Sequence, residues 1–280
     1  MINRGLLDSS EITATVRIAL DEDIGSGDLT AGLVSDRTVS AQVICRQQAV
    51  ICGRPWFDRC FSLLDTGVEI DWMVDEGDQI ANNTVVCQLQ GPARSLLTAE
   101  RTALNFLQTL SGVATATRDY VNAVEGTGCR ILDTRKTLPG LRKAQKYAVS
   151  CGGGHNHRIG LYDAILIKEN HIAAAGSVCE ALQRAYANAA PGMLVEIEVE
   201  TLGQLAQAVD CGARRVLLDN FTISDLPEAV KIAGDRVETE VSGNVTLKNV
   251  GAIADCGVNF VSIGALTKNI QATDFSLLFL

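Results

Sequence analysis

Basic residues gather in one part of this chain. Between Arg130 and Lys168 there are eight Lys or Arg against two acids, Asp133 and Asp163. That segment is net +6 inside a chain of net −9, so everything else sums to −15. All three histidines, His155, His157 and His171, fall in or just after it. A concentrated cationic patch in an acidic protein suits a small, highly charged anion, whereas a nucleic-acid binder spreads positive charge over a whole face. An exposed basic helix would account for Arg142, Lys143 and Lys146. It would not account for Arg135, Lys136, Arg158 and Lys168, which fall at strand ends or beside glycines.

The acids give a second signal. In Val195-Glu-Ile-Glu-Val-Glu, strand alternation puts Glu196, Glu198 and Glu200 on one face and Val195, Ile197 and Val199 on the other. Carboxylates turned into a core are costly unless they serve a polar site. Glu198 and Asp219 are either a structural pair or ligands for Mg²⁺ and sugar hydroxyls, since hard oxygen donors with few protein contacts suit Mg²⁺ held largely by substrate phosphates. His155-x-His157 lacks a third and fourth ligand at zinc spacing. Lys168 could form a Schiff base, as in aldolases, or stand as a permanent cation, and its cationic neighbours favour the second role. Ser242-Gly243-Asn244 and Ile263-Gly264-Ala265 could offer backbone N–H groups to a phosphate, although each glycine alone reads as a turn.

The elements that must position these residues change character along the chain. Residues 10–21 carry Ile12, Val16, Ala19 and Leu20 at helical spacing behind a serine cap. A turn follows in which Asp28 and Thr30 cap or pin a loop. Residues 39–52 and 68–89 read as strands of a small, largely antiparallel sheet, with a short helix at 56–64 between them and a tight turn at 75–78 before Gln79. A long helix ends near Ser111-Gly112, a second runs over 113–124, and Arg101 and Asn105 share a face of the first. Beyond residue 126 come short β-rich runs at 129–133, 164–168, 194–199, 215–218, 237–241 and 259–263, with helices at 177–188, 202–211, 226–233 and 245–255. Repeated βα units give a parallel sheet, closed or nearly closed into a barrel. Six strands in succession end in polar residues, which is where a barrel places its chemistry.

A chain of 280 residues suits one large α/β barrel, with or without a small second domain. Nine scattered cysteines with no C-x-x-C pair read as reduced, mostly buried thiols. The first residues have no apolar segment of a secretory signal, and no apolar run reaches the roughly 18 residues that span a bilayer. A cytoplasmic protein that binds neither membrane nor nucleic acid is expected.

Seven motifs converge on one family. Glu100-Arg-Thr-Ala-Leu-Asn, Asp133-Thr-Arg-Lys-Thr-Leu-Pro-Gly, Gly152-Gly-Gly-His-Asn-His-Arg, Ile167-Lys-Glu-Asn-His, Glu196-Ile-Glu-Val-Glu, Leu218-Asp-Asn and Ser242-Gly-Asn resemble those of the quinolinate phosphoribosyltransferases, and Asp23-Ile-Gly-Ser-Gly-Asp-Leu-Thr also fits. The resemblance covers essentially the whole chain. It implies an N-terminal α+β sandwich-like domain over 1–112, with the tail 269–280 docked on it, and an open, TIM-like α/β barrel of about seven strands over 113–268. It further implies transfer of phosphoribose from 5-phosphoribosyl 1-pyrophosphate to quinolinate with decarboxylation, giving nicotinate mononucleotide for NAD biosynthesis. In the implied site, Arg101, Thr134, Arg135, Lys136, His157, Arg158 and Lys168 surround the two substrates. Glu198 and Asp219 address the ribose and Mg²⁺, and Ser242, Gly243, Asn244, Ile263, Gly264 and Ala265 the phosphate. Lys136, Lys168, Glu198 and Asp219 are the implied catalytic group. A homodimer, or a higher oligomer built from it, would bring Arg101 across the interface. The alternatives are a nicotinate-using relative, a Schiff-base aldolase and a non-catalytic nucleotide-binding module.

Overall fold

The structure, a computed structural model, describes residues 2–280. The chain forms two compact units. One joins the residues up to Arg118 with Thr137–Gly153 and Leu266–Leu280; the other joins Asp119–Lys136 with Gly154–Ala265.

In the first unit, α1 (Ser9–Ile24) buries the stripe Ile12, Val16 and Leu20. Its cap is Asp8 rather than a serine: the carboxylate accepts the N–H groups of Ser10 at 2.8 Å and Glu11 at 3.2 Å. A full charge at this end answers the orphan N–H groups and the helix dipole together. Asp28 pins the following loop by accepting from Thr30 and Ala31, and from the Thr98 hydroxyl at 2.8 Å. These donors, the Thr30 hydroxyl first, lower its pKa to about 2.

The expected long strands are broken into β1 (Thr38–Cys45) and β2 (Ala49–Val50), then, after α2 (Arg54–Leu64), β3 (Glu69–Trp72), β4 (Gln79–Ile80) and β5 (Thr84–Pro92). The C-terminal strand (Phe275–Phe279) pairs antiparallel with β1, giving a four-stranded sheet in the order C-terminal strand, β1, β5, β3. β2 and β4 form a separate ribbon.

The expected break at Ser111-Gly112 is absent, and α3 (Ala93–Ala123) runs straight through it. A Cβ at Gly112 would stand 2.2 Å from the Gln271 carbonyl oxygen, so glycine there permits close packing instead of ending the helix. Ser111 turns its hydroxyl to the Cys52 backbone, accepting from its N–H and donating to its carbonyl, each at 3.0 Å. The basic run Arg142 to Lys146 is also not a solvated face. α4 (Arg142–Cys151) buries every residue from Ala144 onward, and Lys146 is fully covered.

The second unit is a parallel sheet of six strands, β6 (Arg130–Leu132), β7 (Ala164–Ile167), β8 (Leu194–Val199), β9 (Arg215–Asp219), β10 (Glu238–Ser242) and β11 (Phe260–Ser262). They lie in the order β6, β11, β10, β9, β8, β7. The first strand therefore neighbours the last, and the chain winds in one direction, which is the order of a barrel left open between β6 and β7. Among the described residues the sheet has six strands rather than about seven. A single parallel bridge at His155 extends it beyond β6, with His155 N–H donating to the Ile131 carbonyl at 2.8 Å. Helices α5 (Glu169–Ala175), α6 (Val178–Asn188), α7 (Leu202–Asp210), α8 (Leu226–Ala233) and α9 (Val250–Ala254) connect the strands. α9 is shorter than expected because the Asn249 side chain accepts the Thr246 N–H at 2.7 Å, holding a turn where the helix was to begin.

Seven cysteines are free thiols and six of these are buried. Cys179 and Cys211 pair across 32 residues, while the other seven match the expected reduced, mostly buried thiols. No short spacing could have announced that pair. Among the described residues no helix is long and apolar enough to cross a membrane.

Gly112→Ala tests the packing reading. Alanine favours an unobstructed helix by about 0.5–1 kcal/mol, whereas overpacking against residue 271 should cost about 1–3 kcal/mol. A net loss of stability in urea unfolding is the expected result.

Candidate active site

The second unit opens into a cavity of about 440 Å³ at the C-terminal ends of its strands. Thr134, Arg135 and Lys136 follow β6, Lys168 follows β7, and Glu198, Asp219 and Ser242 stand at or near the ends of β8, β9 and β10. His157 and Arg158 enter from the segment after the His155 bridge. Leu166, Leu217, Glu240 and Ser262 complete the wall.

Asp133, fully buried at the end of β6, ties this segment down. Its carboxylate accepts the His157 N–H at 2.9 Å and the Asn156 side-chain N–H at 2.7 Å. The cations are crowded: burial first, and the Arg135 charge after it, lower the Arg158 pKa from its usual value. Lys168 is half exposed and its Nζ donates to Glu198 Oε2 at 2.6 Å. Its backbone N–H donates to His171 Nδ1 at 2.9 Å, so His171 braces the start of α5. Asp219 accepts the Ser242 hydroxyl at 2.6 Å and the Asn220 amide at 2.8 Å.

Below the mouth the barrel stays polar. Glu196 and Glu240 have no exposed side-chain surface, and His157 Nε2 lies 2.8 Å from Glu196 Oε2 and 3.7 Å from Glu240 Oε2. Burial pushes Glu196 up to about 7 and Glu240 up to about 8. Deeper still, the Arg215 guanidinium lies 4.0 Å from the Phe260 ring centroid and bonds Glu238 at 2.7 Å.

The remaining expected residues do not line the cavity. Gly264 packs against a lining residue: a Cβ there would stand 2.9 Å from Lys136 Cδ. Ile263 and Ala265 flank that glycine. Gly243 and Asn244 both have positive φ, and a Cβ at Gly243 would stand 2.2 Å from Asn220 Oδ1. Arg101 is exposed on α3, in the first unit.

The motifs have counterparts in known proteins. A family model described as the C-terminal domain of quinolinate phosphoribosyl transferase matches residues 113–278, and its N-terminal counterpart matches 28–111. The chain belongs to the quinolinate phosphoribosyltransferase family. It is 40% identical over 257 residues to the probable nicotinate-nucleotide pyrophosphorylase (carboxylating) of Bacillus subtilis, covering 91% of this chain and 89% of that one. It is 42% identical over 262 residues to the protein of the same name from a Synechocystis strain, covering 92% and 89%. The solved structure of the nicotinate-nucleotide pyrophosphorylase from Francisella tularensis superposes with a TM-score of 0.96 at 45% identity, over 98% of both chains.

Asp133 and Glu240 had no expected role, and Glu196 was expected only as an inward-facing acid. For Glu240 a signal existed: an acid in the middle of Thr239-Glu-Val, within a strand covered on both faces, is out of place in an aliphatic core. Asp133→Asn should place an amide N–H against a donor and cost about 1–3 kcal/mol. A lowered midpoint in urea unfolding is the expected sign.

Proposed function

We propose that this member of the quinolinate phosphoribosyltransferase family transfers phosphoribose from 5-phosphoribosyl 1-pyrophosphate to quinolinate, releasing pyrophosphate and CO₂ and leaving nicotinate mononucleotide. The single observation that carries the reading is the set of basic side chains Arg135, Lys136, Arg158 and Lys168 around one cavity of a net-acidic chain. Quinolinate is a dianion and the sugar donor a polyanion, so both need cations to share a pocket. These four side chains would hold the carboxylates and phosphates. The pyridine nitrogen then attacks the ribose carbon as pyrophosphate leaves, through an oxocarbenium-like state. Loss of CO₂ beside the new pyridinium nitrogen leaves a transient carbanion that the ring charge and the fixed cations stabilise. The family resemblance would give the phosphate to the backbone at Ser242–Asn244 and Ile263–Ala265, of which Ser242 lines the cavity.

Glu198 and Asp219 fit a magnesium ion in donor chemistry, being hard carboxylate oxygens on neighbouring strands at the cavity mouth. Together with substrate phosphates and the ribose hydroxyls they would hold Mg²⁺, whose role when bound is to neutralise the departing pyrophosphate charge.

The ion pair of Lys168 with Glu198 favours an anchoring cation over an amine nucleophile. CO₂ and pyrophosphate release from quinolinate and the sugar donor, with nicotinate as the control acceptor, tests the reaction. In that assay Lys168→Arg should keep part of the quinolinate binding, and Lys168→Ala should lose about 1.5–3 kcal/mol of it. Equal and complete loss in both, with borohydride trapping, would favour covalent chemistry instead.

The family reading also assigns Arg101 to a partner's cavity in a two-fold dimer. In support, Arg101 is exposed on α3, and nearby Thr102, Asn105 and Phe106 line a groove of about 450 Å³ with the exposed Ile18. The check is subunit exchange between inactive Arg101→Ala and Lys136→Ala chains. Shared sites leave one intact site in each mixed dimer, so activity should return to about half of normal per mixed dimer. No recovery after proven exchange would place Arg101 outside the partner's site.

A further inference from the structure

Glu240 has no role in the reaction as described, yet it sits where a charge would matter most. Its side chain has no exposed surface, and neither carboxylate oxygen accepts a hydrogen bond; the same is true of Glu196 Oε1. The Ser262 hydroxyl faces Glu240 without reaching hydrogen-bond geometry. Beside it stand the Glu196 carboxyl, itself bonded to His157 Nε2 at 2.8 Å, and that same ring nitrogen at 3.7 Å from Glu240 Oε2. His157 Nδ1 accepts the Arg158 backbone N–H at 2.7 Å, so a neutral imidazole must carry its proton on Nε2, toward the acids.

Two occupants could reconcile two buried carboxyls with one N–H: a metal ion or a proton. The three ligand atoms lie within 4.8 Å of one another, close enough for a cation. A metal on Nε2, however, would move the ring proton to Nδ1, against the Arg158 N–H. Two donors would then face each other, so the tautomer disfavours the metal. Two like charges this close and this dry do not both ionise.

We propose that Glu240 is a positioning residue of the reaction: held as a neutral acid, it donates its proton to the Glu196 carboxylate, which in turn orients His157 and the adjoining Arg158 at the cavity wall. The inference rests on the proposed reaction. The unit carries one negative charge instead of two beneath a cavity meant for anions. The charged and titratable groups facing it are His157 and Arg158 from the segment after the bridge, Glu196 and Glu198 from β8, and Arg215 from β9. Burial raises Glu240 to about 8, in the direction a retained proton requires. Because the unfolded chain releases that proton near the ordinary glutamate pKa and the folded chain keeps it, stability falls as pH rises from about 4.5 to about 8.

The test compares native protein with Glu240→Gln and Glu240→Ala between pH 6 and about 9. In the native enzyme, ionisation of Glu240 should raise KM for quinolinate about tenfold, with less effect on kcat. The amide of Glu240→Gln still donates to Glu196 but cannot ionise, so this variant should lose the alkaline rise in KM. It should also recover most of the activity that Glu240→Ala lacks at neutral pH. A KM that climbs with pH equally in native and Glu240→Gln proteins would overturn the proposal, as would a Glu240→Gln chain no better folded or no more active than Glu240→Ala. Urea unfolding across the same pH range provides an arm independent of turnover: the native decline should be flattened in Glu240→Gln. If native protein shows no turnover of quinolinate, the proposed reaction fails, while the stability comparison still decides whether the proton is shared.

Discussion

Negative charge inside a parallel barrel is the constraint on which the site depends. A barrel interior ordinarily fills with branched aliphatic side chains. Here the inward faces of β8 and β10 carry Glu196 and Glu240, both fully buried. Desolvation makes each a weak acid and gives the imidazole of His157 a fixed acceptor. Arg215 stacks on Phe260 below them, and Arg158 stands in the wall above. The layers thus alternate in charge from the floor of the barrel to its mouth.

Asp133 transmits this order to the surface. It closes β6 and accepts from two groups of the 156–157 segment, so the histidine that meets the buried acids also depends on the first strand for its place. The basic groups after β6 and β7 are held by backbone turns and by pairing with Glu198, instead of hanging as free side chains. A pocket for anions built this way is cationic at its rim, above buried carboxyls whose ionisation desolvation disfavours.

The barrel was legible because its signal repeats: each strand ends in polar residues, and alternation in 195–200 fixed which glutamates turn inward. The cavity residues from Thr134 to Ser242 were legible as types at strand ends. What was lost depended on distant chain. Gly112 looks like a helix end until residue 271 is seen against it. Lys146 looks solvated until the rest of α4 is found covered. Cys179 and Cys211 meet over 32 residues with no local sign. Glu240 shows why one strand read alone misleads, because its meaning comes from Glu196 and His157 on other elements.

The C-terminal strand has a consequence for how the chain is made. Residues 275–279 form one edge of the sheet that begins at residue 38, and the first unit also takes in Thr137–Gly153. A ribosome delivers those parts at widely separated moments, and the whole barrel sequence emerges between them. The N-terminal sheet must therefore wait, with β1 presenting an unpaired edge, until residues 275–279 have emerged. Cutting between residues 112 and 113 would not yield two folding pieces, since the second fragment would carry away an edge strand and a helix of the first unit.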